Sequence, residues 1–83
     1  MRLLIVEDEQ DLCRTMAQVL RSDGYEVDAC GDGGTALELA TVESYDLILL
    51  DIMMPGTDGI TWCKKIRRYV DCPILFLTAK AEE

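Results

Sequence analysis

Leu3-Leu4-Ile5-Val6 is an unbroken apolar run that ends at Glu7 and Asp8, the pattern of a strand buried on both faces. From Asp11 to Arg21, Leu12, Met16, Val19 and Leu20 recur at helical spacing, and Gly24 stands where such a helix ends. Glu26-Val27-Asp28-Ala29-Cys30 alternates, as an edge strand with one face in solvent does. Asp32 is placed to cap a second helix from Gly33 to about Ser44, with Ala36, Leu37 and Ala40 on one stripe. Leu47 to Leu50 is another fully apolar strand, closed by Asp51. Met54-Pro55-Gly56-Thr57-Asp58-Gly59 reads as a loop. Ile60, Cys63, Ile66 and Val70 then line one side of a third helix. Pro73 breaks the chain before Ile74-Leu75-Phe76-Leu77, predicted as a further buried strand, and Thr78 to Glu83 is a short polar end.

The order is βαβαβαβ. Strands alternating with helices predict an α/β fold, a doubly wound parallel sheet with right-handed crossovers and helices on both faces. The 83 residues suit one small domain, 1–83, with no linker, repeat or low-complexity tract.

Composition narrows the function. Hydrophobic residues make up 49% and charged residues 29%, which fits a folded chain. The net charge of −8 argues against nucleic acid and against an anionic membrane surface as partners, and suits a cation or a basic partner. There is no histidine, which excludes Ser-His and Cys-His catalysis and His-ligated zinc. Cys13, Cys30, Cys63 and Cys72 form no C-x-x-C pair, so they are read as reduced, mostly buried thiols. Arg2 is followed by only four apolar residues before Glu7 and Asp8, unlike a secretory leader, and the expected location is cytoplasmic. No apolar run approaches the ~20 residues of a membrane span.

In an open parallel sheet, ligands bind outside the carboxyl ends of the strands. Glu7 and Asp8 follow the first strand, Asp51 the third and Thr78 the fourth. If those strands are neighbours, three carboxylates and a hydroxyl converge on one edge. Close carboxylates repel, and a hard divalent cation relieves that cost. All-oxygen ligands suit Mg²⁺, which shares phosphate oxygens with its substrates.

These residues carry a resemblance. The chain resembles the receiver domain of bacterial two-component response regulators, most nearly those with a winged-helix DNA-binding output. The matching pieces are Leu3 to Asp8, Asp46 to Asp51, Met54-Pro55 with Asp58-Gly59, and Pro73-Ile74 through Leu77-Thr78-Ala79. The resemblance implies a flavodoxin-like sheet of order 2-1-3-4, with the fourth helix, fifth strand and fifth helix of a full receiver missing. It implies that Asp51 accepts a phosphoryl group from a sensor histidine kinase, as a stoichiometric acceptor rather than an enzyme with turnover. Asp8, Asp51 and the Met53 backbone carbonyl would hold Mg²⁺, with Glu7 acting through water. Thr78 would contact the phosphoryl group and switch the following loop, and Ala79 would leave room for the donor. The family's lysine after the fifth strand has no counterpart, since Lys80 is out of register and reads as solvated.

Other readings come from the same residues. An interaction or dimerisation module that takes no phosphate is the main alternative, favoured by the missing lysine; an unpaired fourth strand is also a template for homo-oligomers through strand pairing or exchange of elements. Gly31, Gly33 and Ala36 match the dinucleotide G-x-G-x-x-A, but behind an edge-type strand. An aspartate-nucleophile phosphatase would need an acid where Met53 stands. Trp62 sits at a helix position that could be exposed, and Lys64, Lys65, Arg67 and Arg68 read as a solvated face.

Overall fold

The computed structural model describes residues 1–54 and 58–77. Seven elements follow in order: β1 (Arg2–Val6), α1 (Gln10–Ser22), β2 (Glu26–Cys30), α2 (Gly33–Val42), β3 (Leu47–Asp51), α3 (Gly59–Arg67) and β4 (Ile74–Leu77). They form one parallel sheet of order β2-β1-β3-β4. The expected α/β order is therefore found. Thr78, Ala79 and Lys80, and Pro55 to Thr57 of the expected loop, lie outside the described residues.

Alternation along β1 divides the core. Leu3 and Ile5 pack on one face with Cys13 and Ala17 of α1 and with Val27. Leu4 and Val6 pack on the other with Ala36, Ala40, Ile48, Leu50 and Ile66, where α2 and α3 lie. Leu4, Ile5, Val6, Ile48, Leu50 and Ile66 have no measurable exposure; β1 is thus buried on both faces, whereas β3 is fully buried only on the face of Ile48 and Leu50, with Leu47 and Leu49 half-buried on the other.

Several local expectations are corrected. The buried residues of α1 are Cys13 and Ala17; Met16 and Leu20 are half-buried, while Leu12 and Val19 are exposed. The two short side chains face the sheet. Gly24 follows the Asp23 cap of α1, and its φ of +98° is the left-handed conformation that glycine adopts without penalty. Helix α2 stops at Val42, before Ser44, because Glu43 takes an extended backbone. In α3, Ile60 is exposed, and Val70 packs on the core from beyond the helix end. Strand β4 is not buried. Leu75 is 53% and Phe76 41% exposed, because β4 is outermost and pairs only with β3 among the described residues.

Away from the carboxyl edge, Arg2 ties the sheet's other end together. Its Nε and Nη2 donate to Asp28 Oδ2 at 3.1 and 3.0 Å, and its backbone N–H donates to Asp46 at 2.8 Å. All four cysteines are free, with Cys13 buried and the others half-buried.

Candidate functional site

Register builds the site. Val6, at the end of β1, lies opposite Cys30 of β2 and Leu50 of β3. Glu7 and Asp8 therefore leave β1 beside Asp51, the last residue of β3, at the carboxyl edge of the sheet. One carboxylate oxygen from each of Glu7, Asp8 and Asp51 lies within 4.8 Å of the others. The three carboxylates expected to converge do so.

Their surroundings differ. Glu7 and Asp51 are 4% and 3% exposed, whereas Asp8 is exposed. Burial pushes the Glu7 carboxyl above its ordinary range; the Glu9 N–H, donating to Oε2 at 3.0 Å, pulls the other way, and the neighbouring charge of Asp51 adds to the rise. The Glu7 backbone N–H is anchored on the Cys30 carbonyl at 3.0 Å. Asp51 Oδ1 accepts the Met53 N–H at 2.9 Å, which limits rotation of its carboxylate and folds residues 51–53 into a tight turn. The Met53 side chain is 57% exposed, so only its backbone belongs to the turn.

Oxygen donors that are buried, close together and of like charge fit a hard divalent cation such as Mg²⁺. The convergence of the three acids, with Glu7 and Asp51 buried, is the arrangement that favours a positive charge here.

Helix α3 closes on this turn. Asp58 caps it, with Oδ1 accepting the Thr61 N–H at 2.8 Å, and that bond holds the Asp58 carboxyl below its ordinary value. Gly59 lies directly against residues 51 and 52. Gly59 is legible in the sequence only as the end of the family-like stretch from Asp51 to Asp58-Gly59, with no role attached to it. Asp32 caps α2 in the same manner through the Thr35 N–H at 2.7 Å.

The rival fingerprint is taken up by packing. A Cβ at Gly33 would run into the Trp62 ring, and Ala36 is in the core. The strand before this turn is the edge strand β2 rather than the buried central strand that a dinucleotide fingerprint follows. Trp62 is half-buried between α2 and α3, with Lys65 Nζ 4.6 Å from its ring centre. Lys64, Lys65, Arg67 and Arg68 are exposed at the carboxyl end of α3, where positive charge complements the helix dipole. No helix among the described residues is long and apolar enough to cross a membrane.

Comparison with known proteins matches residues 3–83 to the family described as Response regulator receiver domain. The transcriptional regulatory protein SpaR of Bacillus subtilis is 49% identical over 82 residues, which is 99% of this chain and 37% of that protein. The chain spans about a third of the length of the curated relatives it matches. Among solved structures, response regulator TrrA of Thermotoga maritima in complex with Mg²⁺-BeF superposes with a TM-score of 0.85 at 35% identity, covering 96% of this chain and 70% of that one. A chain in the crystal structure of histidine kinase ThkA with TrrA superposes with a TM-score of 0.87 at 36% identity, covering 98% and 71%.

Proposed function

The chain belongs to the response regulator receiver family, and from that premise we propose that Asp51 accepts a phosphoryl group from a sensor histidine kinase. The observation that carries this reading is the convergence of Glu7, Asp8 and Asp51 within 4.8 Å, with Asp51 buried at the end of a central strand. A carboxylate oxygen of Asp51 attacks phosphorus in line. The P–N bond to the donor imidazole breaks, the electron pair leaves with the nitrogen, and Asp51 becomes an acyl phosphate. With a small acyl phosphate donor the same attack expels a carboxylate.

The chain's residues prepare that step. The Met53 N–H holds Oδ1 and orients the nucleophile. Asp8, Asp51 and the Met53 carbonyl would hold Mg²⁺, with Glu7 behind them. When bound, Mg²⁺ neutralises charge on the transferring phosphoryl oxygens. Thr78, by its place after β4, is assigned the contact to the phosphoryl group. Two similar structures support the reading, one of a response regulator in complex with Mg²⁺-BeF and one of a response regulator in complex with a histidine kinase.

The test is labelling by acetyl phosphate. Mg²⁺-dependent label that is hydroxylamine-sensitive and absent in Asp51→Asn is expected; equal label in that variant overturns the assignment.

A second property is proposed from one observation. Leu75 and Phe76 are exposed on β4, whose outer side carries no strand among the described residues. The 83-residue chain therefore associates with itself through this strand.

A further inference from the structure

The turn that carries Asp51 is held from outside as well as by its own hydrogen bond. The Gly59 N–H donates to the Ile52 carbonyl at 3.3 Å, and Gly59 is buried. A Cβ built on Gly59 would stand 2.8 Å from the Asp51 carbonyl oxygen and 3.0 Å from Ile52 Cγ2, and it would run into the Ile52 Cα. Two of these three atoms are backbone and cannot swing aside. Among the described residues only Gly24 has a positive φ, so the Gly59 backbone itself does not call for glycine. Contact with residues 51 and 52 does. Asp58 caps α3 and so fixes where the helix begins. The helix start, the Ile52 carbonyl and the Asp51 carboxylate are thereby coupled through one three-residue turn.

We propose that Gly59 is a positioning residue for the acceptor site. It acts through Ile52: a side chain at 59 displaces the Asp51–Ile52 peptide and turns the Asp51 carboxylate and the Met53 backbone away from Glu7 and Asp8. This rests on the reading of Asp51 as the acceptor.

The test uses the whole chain, with Mn²⁺ binding followed by electron paramagnetic resonance and acetyl phosphate labelling followed at saturating Mg²⁺. Gly59→Ala is expected to bind Mn²⁺ about tenfold or more weakly and to label about 10–100-fold more slowly even with metal saturating. Ala40→Gly loosens α2 inside the core and serves as the stability control, with Mn²⁺ affinity and labelling rate unchanged. Trimethylamine N-oxide keeps marginal variants folded during both measurements. Wild-type metal affinity and rate in a folded but less stable Gly59→Ala overturn the proposal. So does a Gly59→Ala chain that stays unfolded in the osmolyte, since the contact then serves folding alone. If wild type takes no label while Gly59→Ala still weakens Mn²⁺ binding, the acceptor reading fails and the positioning role stands.

Discussion

The Tyr45 hydroxyl donates to Asp28 Oδ2 at 2.7 Å, across 17 residues of chain, and Arg2 donates to the same oxygen. Tyr45 is 7% exposed, so this bond is largely withdrawn from water. It lowers the Asp28 carboxyl, with help from Arg2, while burial and the same bond raise the Tyr45 hydroxyl.

The pH dependence of stability follows. A carboxyl depressed by folding contributes stability above its unfolded value, near 4, and loses it as pH falls through the folded value. A phenol raised by folding contributes below about 10 and loses it as pH rises. Tyr45→Phe should cost about 1–2 kcal/mol at pH 7, and the difference should shrink below about pH 4 as Asp28 protonates. Urea unfolding of both proteins from pH 2 to 8 checks this, and a constant difference across that range would count against it.

Adjacent glycines in α2 should behave oppositely. A Cβ at Gly33 runs into the Trp62 ring, whereas one at Gly34 meets only Asp32 Oδ1 at 3.4 Å, an ordinary contact. Gly34→Ala should stabilise the chain by about 0.5–1 kcal/mol through helix propensity. Gly33→Ala should destabilise it and shift Trp62 emission as the ring is displaced. Equal unfolding midpoints for the two variants would show that Trp62 moves aside freely.

What was legible in the sequence was periodic or local. Three apolar runs, one alternating strand and the helices between them gave the α/β order and placed Glu7, Asp8 and Asp51 at strand ends, because a parallel sheet puts strand ends on one edge; the strand order itself came from the family resemblance. Contacts without a spacing rule were not legible. Tyr45 reaching Asp28, Trp62 covering Gly33 and Gly59 backing Ile52 each depend on how two elements pack. The α1 stripe was misplaced because Cys13 and Ala17 weigh little in an apolar pattern, although small residues suit the side of a helix that faces a sheet. Strand β4 looked buried because its residues are apolar, while its exposure depends on what lies beside it.

The acidic cluster predicts a trade between metal and stability. Three carboxylates within 4.8 Å repel when no cation is bound, and two of them are buried. Asp51→Asn removes one charge and keeps the shape. It should raise the metal-free unfolding free energy by on the order of 1 kcal/mol and weaken Mg²⁺ binding at least tenfold. Isothermal calorimetry settles the second half: equal Mg²⁺ affinity in the two proteins would remove Asp51 from the metal site.

Among the described residues, β4 is the outer strand beside β3. Its four residues, Ile74 to Leu77, carry no charge or proline, and the two in the middle are exposed. A flat apolar strand with an open backbone edge pairs readily with another chain unless something blunts it. Pairing two copies would satisfy the open N–H and C=O groups and cover Leu75 and Phe76, worth on the order of 1 kcal/mol for each half-exposed side chain. Leu75→Lys puts a charge on the sheet face of the strand that would pair, where a second strand would bury it beside its own side chains. Because Leu75 is 53% exposed, the substitution should leave the fold of a single chain nearly as stable while opposing association. Sedimentation equilibrium at micromolar concentration should then show a dimer for the 83-residue chain and a folded monomer for Leu75→Lys. A monodisperse, cooperatively unfolding monomer of the unsubstituted chain would mean that β4 does not recruit a second copy.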